Sequence, residues 1–212
     1  MRVFSSIVLS VFFSLTVFAT AQIPDKVIYN GKEYMLHNNP LESYFEKYPD
    51  KRPKVEVWSN ALYRGYIATF EIKGGQLYLK DIEILSSYKR KEWKTVRKEV
   101  FPKQKSVKID WMTGILVLPS GKLLNYVDMG YASTFERYTL LEINGGKLVK
   151  EKVFEHDDCE KFKEKQFKVF KETDDYKKLK ADIQKRSDWT DEAIDSYLQT
   201  FVLEFSTKIL VN

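Results

Sequence analysis

His156-Asp157-Asp158-Cys159-Glu160 places an imidazole, a thiol and three carboxylates within five residues. On a helix, His156 and Cys159 share a face at i, i+3, a spacing open to a nucleophilic Cys–His pair or to metal ligation. The same residues also suit the start of a solvated helix. Acids there stabilise the positive end of the macrodipole, and Cys159 begins a buried stripe. Catalytic Cys–His pairs are normally assembled by the fold and not by adjacency, so we read a helix start and assign neither a metal ligand nor a catalytic residue. Glu42 with Glu46, and Asp157 with Glu160, are candidate acid–base pairs. Nothing in the sequence gives either pair the desolvated setting that would separate their pKa values. The chain contains no GxSxG, P-loop, HExxH or GxGxxG. Enzymes that carry such a local signature are therefore excluded, and no cofactor is expected. A glycosidase-type carboxylate pair would leave no local signature.

Two other groups are suited to binding. Trp58, Tyr63, Arg64, Tyr66, Trp111, Tyr131 and Phe135 fall around expected strand ends and loops, where aromatics with an arginine make interface hot spots or stacking platforms for sugars. Strand alternation assigns half of them to the core. Gly130–Thr134 is the most loop-like aromatic segment. Residues 86–106 carry eight basic and two acidic side chains. They could meet an acidic protein, an anionic glycan or a lipid surface, or could form a solvated face with Glu92 and Glu99 as partners. From the two groups we take Trp58, Tyr63, Arg64, Tyr131, Lys94 and Arg97 as binding candidates.

These residues need a scaffold and an address. Arg2 followed by the apolar run Val3–Phe18 and Ala19-Thr20-Ala21 has the form of a secretory signal with a peptidase site, which makes Gln22 the expected mature N-terminus. No basic cluster follows to stop transfer, so no transmembrane segment is expected after cleavage. We expect residues 22–212 to form one domain, exported to the periplasm or secreted, β-rich to 155 and helical from 156. Of 212 residues, 43% are hydrophobic and 15% aromatic, which excludes general disorder. One cysteine excludes an internal disulfide framework. The net charge of +5 is mild, and an exported protein seldom meets nucleic acid, so the expected partner is a protein or an envelope glycan.

The pattern predicts α+β: an antiparallel meander with short inserted helices, then a tail of about three helices packed on it. Asn30-Gly31 and Asn144-Gly145-Gly146 mark hairpins. Asn39-Pro40-Leu41-Glu42 has the form of a helix cap before Tyr44, Phe45 and Tyr48. Leu77 and Leu79 share one parity and Ile82 and Ile84 the other, which predicts a bulge near Lys80-Asp81. Trp93, Val96, Val100 and Phe101 predict a helix, and Pro119–Lys122 predicts a turn between two strands. In the tail, Thr190 is the expected cap of a helix whose apolar face includes Ile194, Leu198, Phe201, Val202 and Phe205.

Tyr29–Tyr34, Asn39–Glu42 with Arg52-Pro53, and Arg64–Ile72 resemble runs in a group of small exported bacterial proteins of unassigned function. The resemblance covers most of the mature chain. It implies export and a single domain, and it carries no activity. Two functions are expected. One is a non-catalytic exported binding protein, of inhibitor or immunity type. The other is a cell-envelope hydrolase acting on glycan or peptide through a carboxylate site. A closed apolar core without a cleft would favour the first, and a cleft lined by paired acids with raised pKa the second.

Overall fold

A computed structural model describes residues 20–87, 89 and 92–211. The apolar run Val3–Phe18, and Arg90 and Lys91 of the basic stretch, lie outside the described residues. The fold is α+β, as the pattern predicts. Its strands are β1 (Asp25–Tyr29), β2 (Lys32–Leu36), β3 (Ile67–Lys73), β4 (Gln76–Ser87), β5 (Glu92–Thr95), β6 (Val107–Lys108), β7 (Gly114–Asn125), β8 (Thr134–Asn144) and β9 (Lys147–Glu155). Helices α1 (Glu42–Lys47) and α2 (Arg97–Val100) are inserted. The tail carries α3 (His156–Phe170), α4 (Asp174–Arg186), α5 (Asp191–Thr200) and α6 (Val202–Phe205). Among the described residues no helix is long and apolar enough to cross a membrane.

The β1–β2 turn follows directly from its residues: Asn30 and Gly31 both take positive φ, 49° and 75°, as a two-residue hairpin requires. In β4 the bulge falls where parity demands it. Thr69 pairs with Asp81 and Phe70 with Leu79, which leaves Lys80 as the extra residue. Leu77, Leu79, Ile82 and Ile84 consequently all reach one core. At Gly146 a side chain would put Cβ 2.0 Å from the carbonyl oxygen of Ile109, so the β8–β9 turn needs glycine for space as well as for its φ of 75°.

The sheet runs β2-β1-β3-β4-β9-β8-β7 and is mixed. β3 lies parallel to β1, because the chain passes through β2 and α1 before returning beside β1. The other strand pairs are antiparallel. β9 touches β4 only at the pair Gln76–Lys147, and β6 and β5 cover the rest of that edge. This corrects the helix expected around Trp93: residues 92–95 satisfy the backbone groups of β4 that β9 leaves open, and only Arg97–Val100 is helical. The turn expected at Pro119–Lys122 is also corrected. β7 runs through it, kinked around Gly121 (φ 80°), and still pairs with β8 on either side.

The sheet curls until its two ends meet. The backbone N–H of His37 donates to the Val117 carbonyl at 2.9 Å, and Val117 N–H donates to Asn38 Oδ1 at 2.6 Å. Inside the curl lies a first core that includes Phe45, Tyr66, Phe70 and Leu116. Outside it, Ile115 and Val117 of β7 and Tyr138 and Leu140 of β8 form a second core with the tail. Both faces of β7 are thus covered, which explains its unbroken run Ile115–Leu118. α3 turns Cys159, Phe162, Phe167 and Phe170 onto that core, and α5 and α6 add Ile194, Leu198, Val202 and Leu203. The buried Gln166 fastens the last segment, donating to Lys208 O and accepting from Leu210 N–H, each at 2.8 Å. Thr190 caps α5 as expected, its side chain accepting from Ala193 N–H.

Candidate functional site

Arg64 stands just before β3, with its side chain 0% exposed. It donates to Ile23 O at 2.9 Å, to Tyr131 Oη at 2.8 Å and to Asp25 Oδ1 at 3.3 Å. Asp25 Oδ1 also accepts from Ala68 N–H at 2.8 Å, while Asp25 Oδ2 and Arg64 Nε are buried without partners. Burial pushes the Asp25 carboxyl up to about 7, against the pull of Arg64 and of the Ala68 N–H. Beside this pair, Arg52 grips Glu42 through both carboxylate oxygens at 3.0 and 2.8 Å, and Tyr66 Oη donates to the same Glu42 at 2.7 Å. The expected cap of α1 is therefore corrected. Asn39 Oδ1 accepts from Tyr131 Oη at 2.9 Å, Glu42 is held by Arg52 and Tyr66, and α1 starts at Glu42 with no side-chain cap.

Tyr131 joins this network to the loop 126–134. The loop is tied by Ser133, whose Oγ bonds both N–H and C=O of Val127, and by Gln22 N–H donating to Gly130 O at 3.1 Å. The Tyr131 ring stacks on His37, with centroids 4.8 Å apart and planes 13° apart, and Phe135 meets His37 edge-on at 5.6 Å.

His37, Tyr131 and Tyr138 line a cleft of about 630 Å³ between the sheet and the tail, within the usual size of ligand sites. His37 is only 7% exposed, and among the described residues no protein group hydrogen-bonds its ring. Burial, helped by the charge of Lys163, pushes His37 down to about 4. Its imidazole is therefore neutral at neutral pH, with one donor and one acceptor nitrogen. Lys163 on α3 is paired with Glu160 at 2.8 Å, and Lys171 with Asp195 at 2.6 Å. Glu204 on α6 also lines the cleft and, among the described residues, has no ion pair or hydrogen bond. Glu204 is exposed to the solvent of the cleft, and protein shields only part of its carboxyl. Burial pushes it up to about 7, and the charge acting on it is that of Lys163, which lowers it. Five acidic side chains line the cleft against two basic ones, a net of −3 in a chain of net +5.

Of the expected binding residues, Arg64 and Tyr131 are brought together at 2.8 Å. Arg64 is buried and supports the cleft without facing it. Trp58 and Tyr63 are exposed, at 66% and 54%, with Trp58 Nε1 bonded to Asn60. Lys94 and Arg97 belong to a different group. Lys94 is ion-paired with Glu56 at 3.3 Å and Glu99 at 3.5 Å, and Arg97 donates to Gln104 O. Cys159 is 0% exposed and pushed up to about 12 by burial, as a core thiol should be. Among the described residues no cluster of three or more His, Cys, Asp or Glu is placed to hold a metal ion. Of the candidate acids, Glu42 is held by Arg52, and Glu160 by Lys163.

His37, Lys163 and Glu204 were not legible as a site. One signal was present for Glu204: it is the single acid in the apolar run Phe201–Phe205, where the structure leaves it exposed. Comparison with known proteins finds no matching family model, no matching curated protein and no matching solved structure.

Proposed function

We propose that the chain is an exported, non-catalytic binding protein that engages another macromolecule through the cleft between the sheet and the helical tail. Such a role fits an inhibitor or immunity-type protein that neutralises a secreted partner. The observation that carries the reading is the cleft itself, which has unpartnered polar groups, His37 and Glu204, on a lining where Lys163 pairs with Glu160 and Lys171 with Asp195. The leader-like residues 1–21 support export, and the partner is a protein or an envelope glycan. A second reading, an envelope hydrolase on glycan or peptide, draws support from the presence of a cleft lined by acids, the feature expected to favour it, and from the raised pKa of Glu204. It is weaker because a glycosidase-type site needs two facing carboxyls. The charge felt by Glu204 comes from a lysine and not from a second acid.

The test is a photo-cross-linking residue placed at Gln199, on the cleft wall, and separately at Lys32, at the exposed β1–β2 tip. Binding through the cleft gives one adduct of defined mass with envelope material from Gln199 and none from Lys32. Turnover of an envelope glycan or peptide that Glu204→Gln abolishes, with no adduct, would replace this reading with the hydrolase.

A further inference from the structure

Resting on that reading, we infer that the cleft takes a cationic side chain, Lys or Arg, from an extended segment of a partner protein. Three observations converge on this chemistry. The first is charge. The lining carries a formal charge of −3 within a chain of net +5, so it is a place on a basic molecule where a cation is drawn in. Two of the five acids are already neutralised by Lys163 and Lys171, which leaves Glu164, Glu192 and Glu204 for a ligand.

The second observation is His37. It is more than nine-tenths buried, lines the cleft, and has no protein hydrogen bond to its ring. The ring is buried while its nitrogens stay open to the cleft, where a ligand group can take the place of water. Being neutral, it offers a ring nitrogen as acceptor to an ammonium or guanidinium. A protonated imidazole would repel the same group. The third is Glu204 of α6, a carboxylate on the cleft lining with no ion pair among the described residues. The groups facing it are Lys163 of α3, Tyr131 of the loop and Tyr197 of α5, and among these only Lys163 carries charge at neutral pH. A ligand cation supplies the donor that Glu204 lacks, and favours its ionised form.

A peptide fits better than a sugar. The rings at the cleft are already engaged with one another, Tyr131 with His37 and Phe201 with Tyr197, which leaves a poor platform for stacking. The wall does offer Ser133, Thr134, Ser196, Gln199 and Thr200, which suit the N–H and C=O groups of an extended backbone.

The experiment titrates the protein from Gln22 onward with blocked pentapeptides Gly-Gly-X-Gly-Gly, where X is arginine, lysine or citrulline, and with glucosamine oligomers. Amide and imidazole NMR shifts are followed. Arginine and lysine peptides should shift His37 and residues 199–204, and bind at least about tenfold more tightly than the neutral citrulline peptide, or about 1.4 kcal/mol. Added salt should weaken them. Glu204→Gln should erase the tenfold preference. Glu46→Gln makes the same charge change on exposed α1, away from the cleft, and should preserve it. Equal binding of the citrulline peptide, or an unchanged preference in Glu204→Gln, overturns the inference. Binding of glucosamine oligomers in place of peptides overturns it in favour of a cationic glycan. The Gln199 cross-link separates the two levels. An adduct without an arginine preference removes the cation and keeps the binding function, whereas a missing adduct removes the binding function itself.

Discussion

Tyr131 has a different neighbourhood at each end. Its hydroxyl lies between Arg64 and Asn39, in a part-buried network built on the fully buried Arg64–Asp25 pair. Its ring forms part of an open cleft with His37 and Glu204. On the hydroxyl side, charge is matched: Arg64 meets Asp25, and Arg52 meets Glu42. On the open side, charge is left over. Pairing of the first kind costs desolvation and returns it as a unique arrangement of β1, β3 and the loop. Leftover charge of the second kind is useful only if something arrives to meet it. Arginine-with-aromatic composition alone cannot tell the two apart, which is why Arg64 drew attention as a contact residue when it is a foundation.

The largest effect should come from the hydroxyl side. Arg64→Met strands Asp25 and should cost about 3–5 kcal/mol in urea unfolding. A loss below about 1 kcal/mol would mean that the network does not hold the loop. The pH dependence has a definite sign. Asp25 in the folded chain is raised to about 7, so between about pH 4 and pH 7 the native state binds a proton that the unfolded state does not. Asp25's contribution to stability should therefore fall as pH rises through that window, by up to about 1.4 kcal/mol per unit, and level off above it. Glu204 adds a contribution of the same sign and His37, held down to about 4, one of the opposite sign, so the Asp25 part is read as the difference between the parent and Asp25→Asn. A difference that does not change with pH would show that Asp25 keeps an ordinary carboxyl in the fold.

The tail offers the next effect and sharpens the contrast within one helix face. Leu198 is 0% exposed in the second core, and Leu198→Ala should cost about 2–5 kcal/mol. Phe201 has the same helical spacing but stands at the break between α5 and α6, half-buried and lining the cleft. Phe201→Ala should cost clearly less than Leu198→Ala. If their thermal shifts match, Phe201 is core and the cleft wall is wrongly drawn.

Tyr131→Phe cuts between the two sides. It removes the hydroxyl that Arg64 and Asn39 use and keeps the ring. A buried guanidinium that loses one acceptor should cost about 1–3 kcal/mol. Binding in the cleft should change little, because the stacking on His37 is untouched. A loss of binding with no loss of stability would reverse the assignment of the two ends.

Local chemistry made much of the scaffold legible. Asn30-Gly31 sets a turn through its own φ preferences, and the parity change across Lys80 can be repaired only by a bulge. The failures came where distant chain decided. Glu92–Thr95 has helical spacing downstream, yet β4 needs an edge partner that β9 does not supply. Pro119 and Gly121 look like a turn, yet β7 is the sheet's end strand, where a missing N–H and a kink are tolerated. The cleft was the least legible part. His37, Lys163 and Glu204 come from β2's end, α3 and α6, and only the curl of the sheet and the packing of the tail bring them to one cleft.

The smallest effect has the opposite sign. Glu204→Gln removes a carboxyl that burial raises to about 7, so its ionised form is held at a cost above that pH. The substitution should stabilise the protein slightly at pH 8, by less than about 1 kcal/mol given the solvent that reaches the group. At pH 5 the native carboxyl is already protonated and its unfolded counterpart mostly ionised. The native chain then regains that stability, and the advantage of glutamine should vanish. Paired urea melts at pH 5 and pH 8 measure this directly. A residue that lowers stability where it stands is of the kind that functional sites commonly retain. If Glu204→Gln instead destabilises at pH 8, Glu204 has a structural partner, and the contrast between a matched side and an unmatched side collapses.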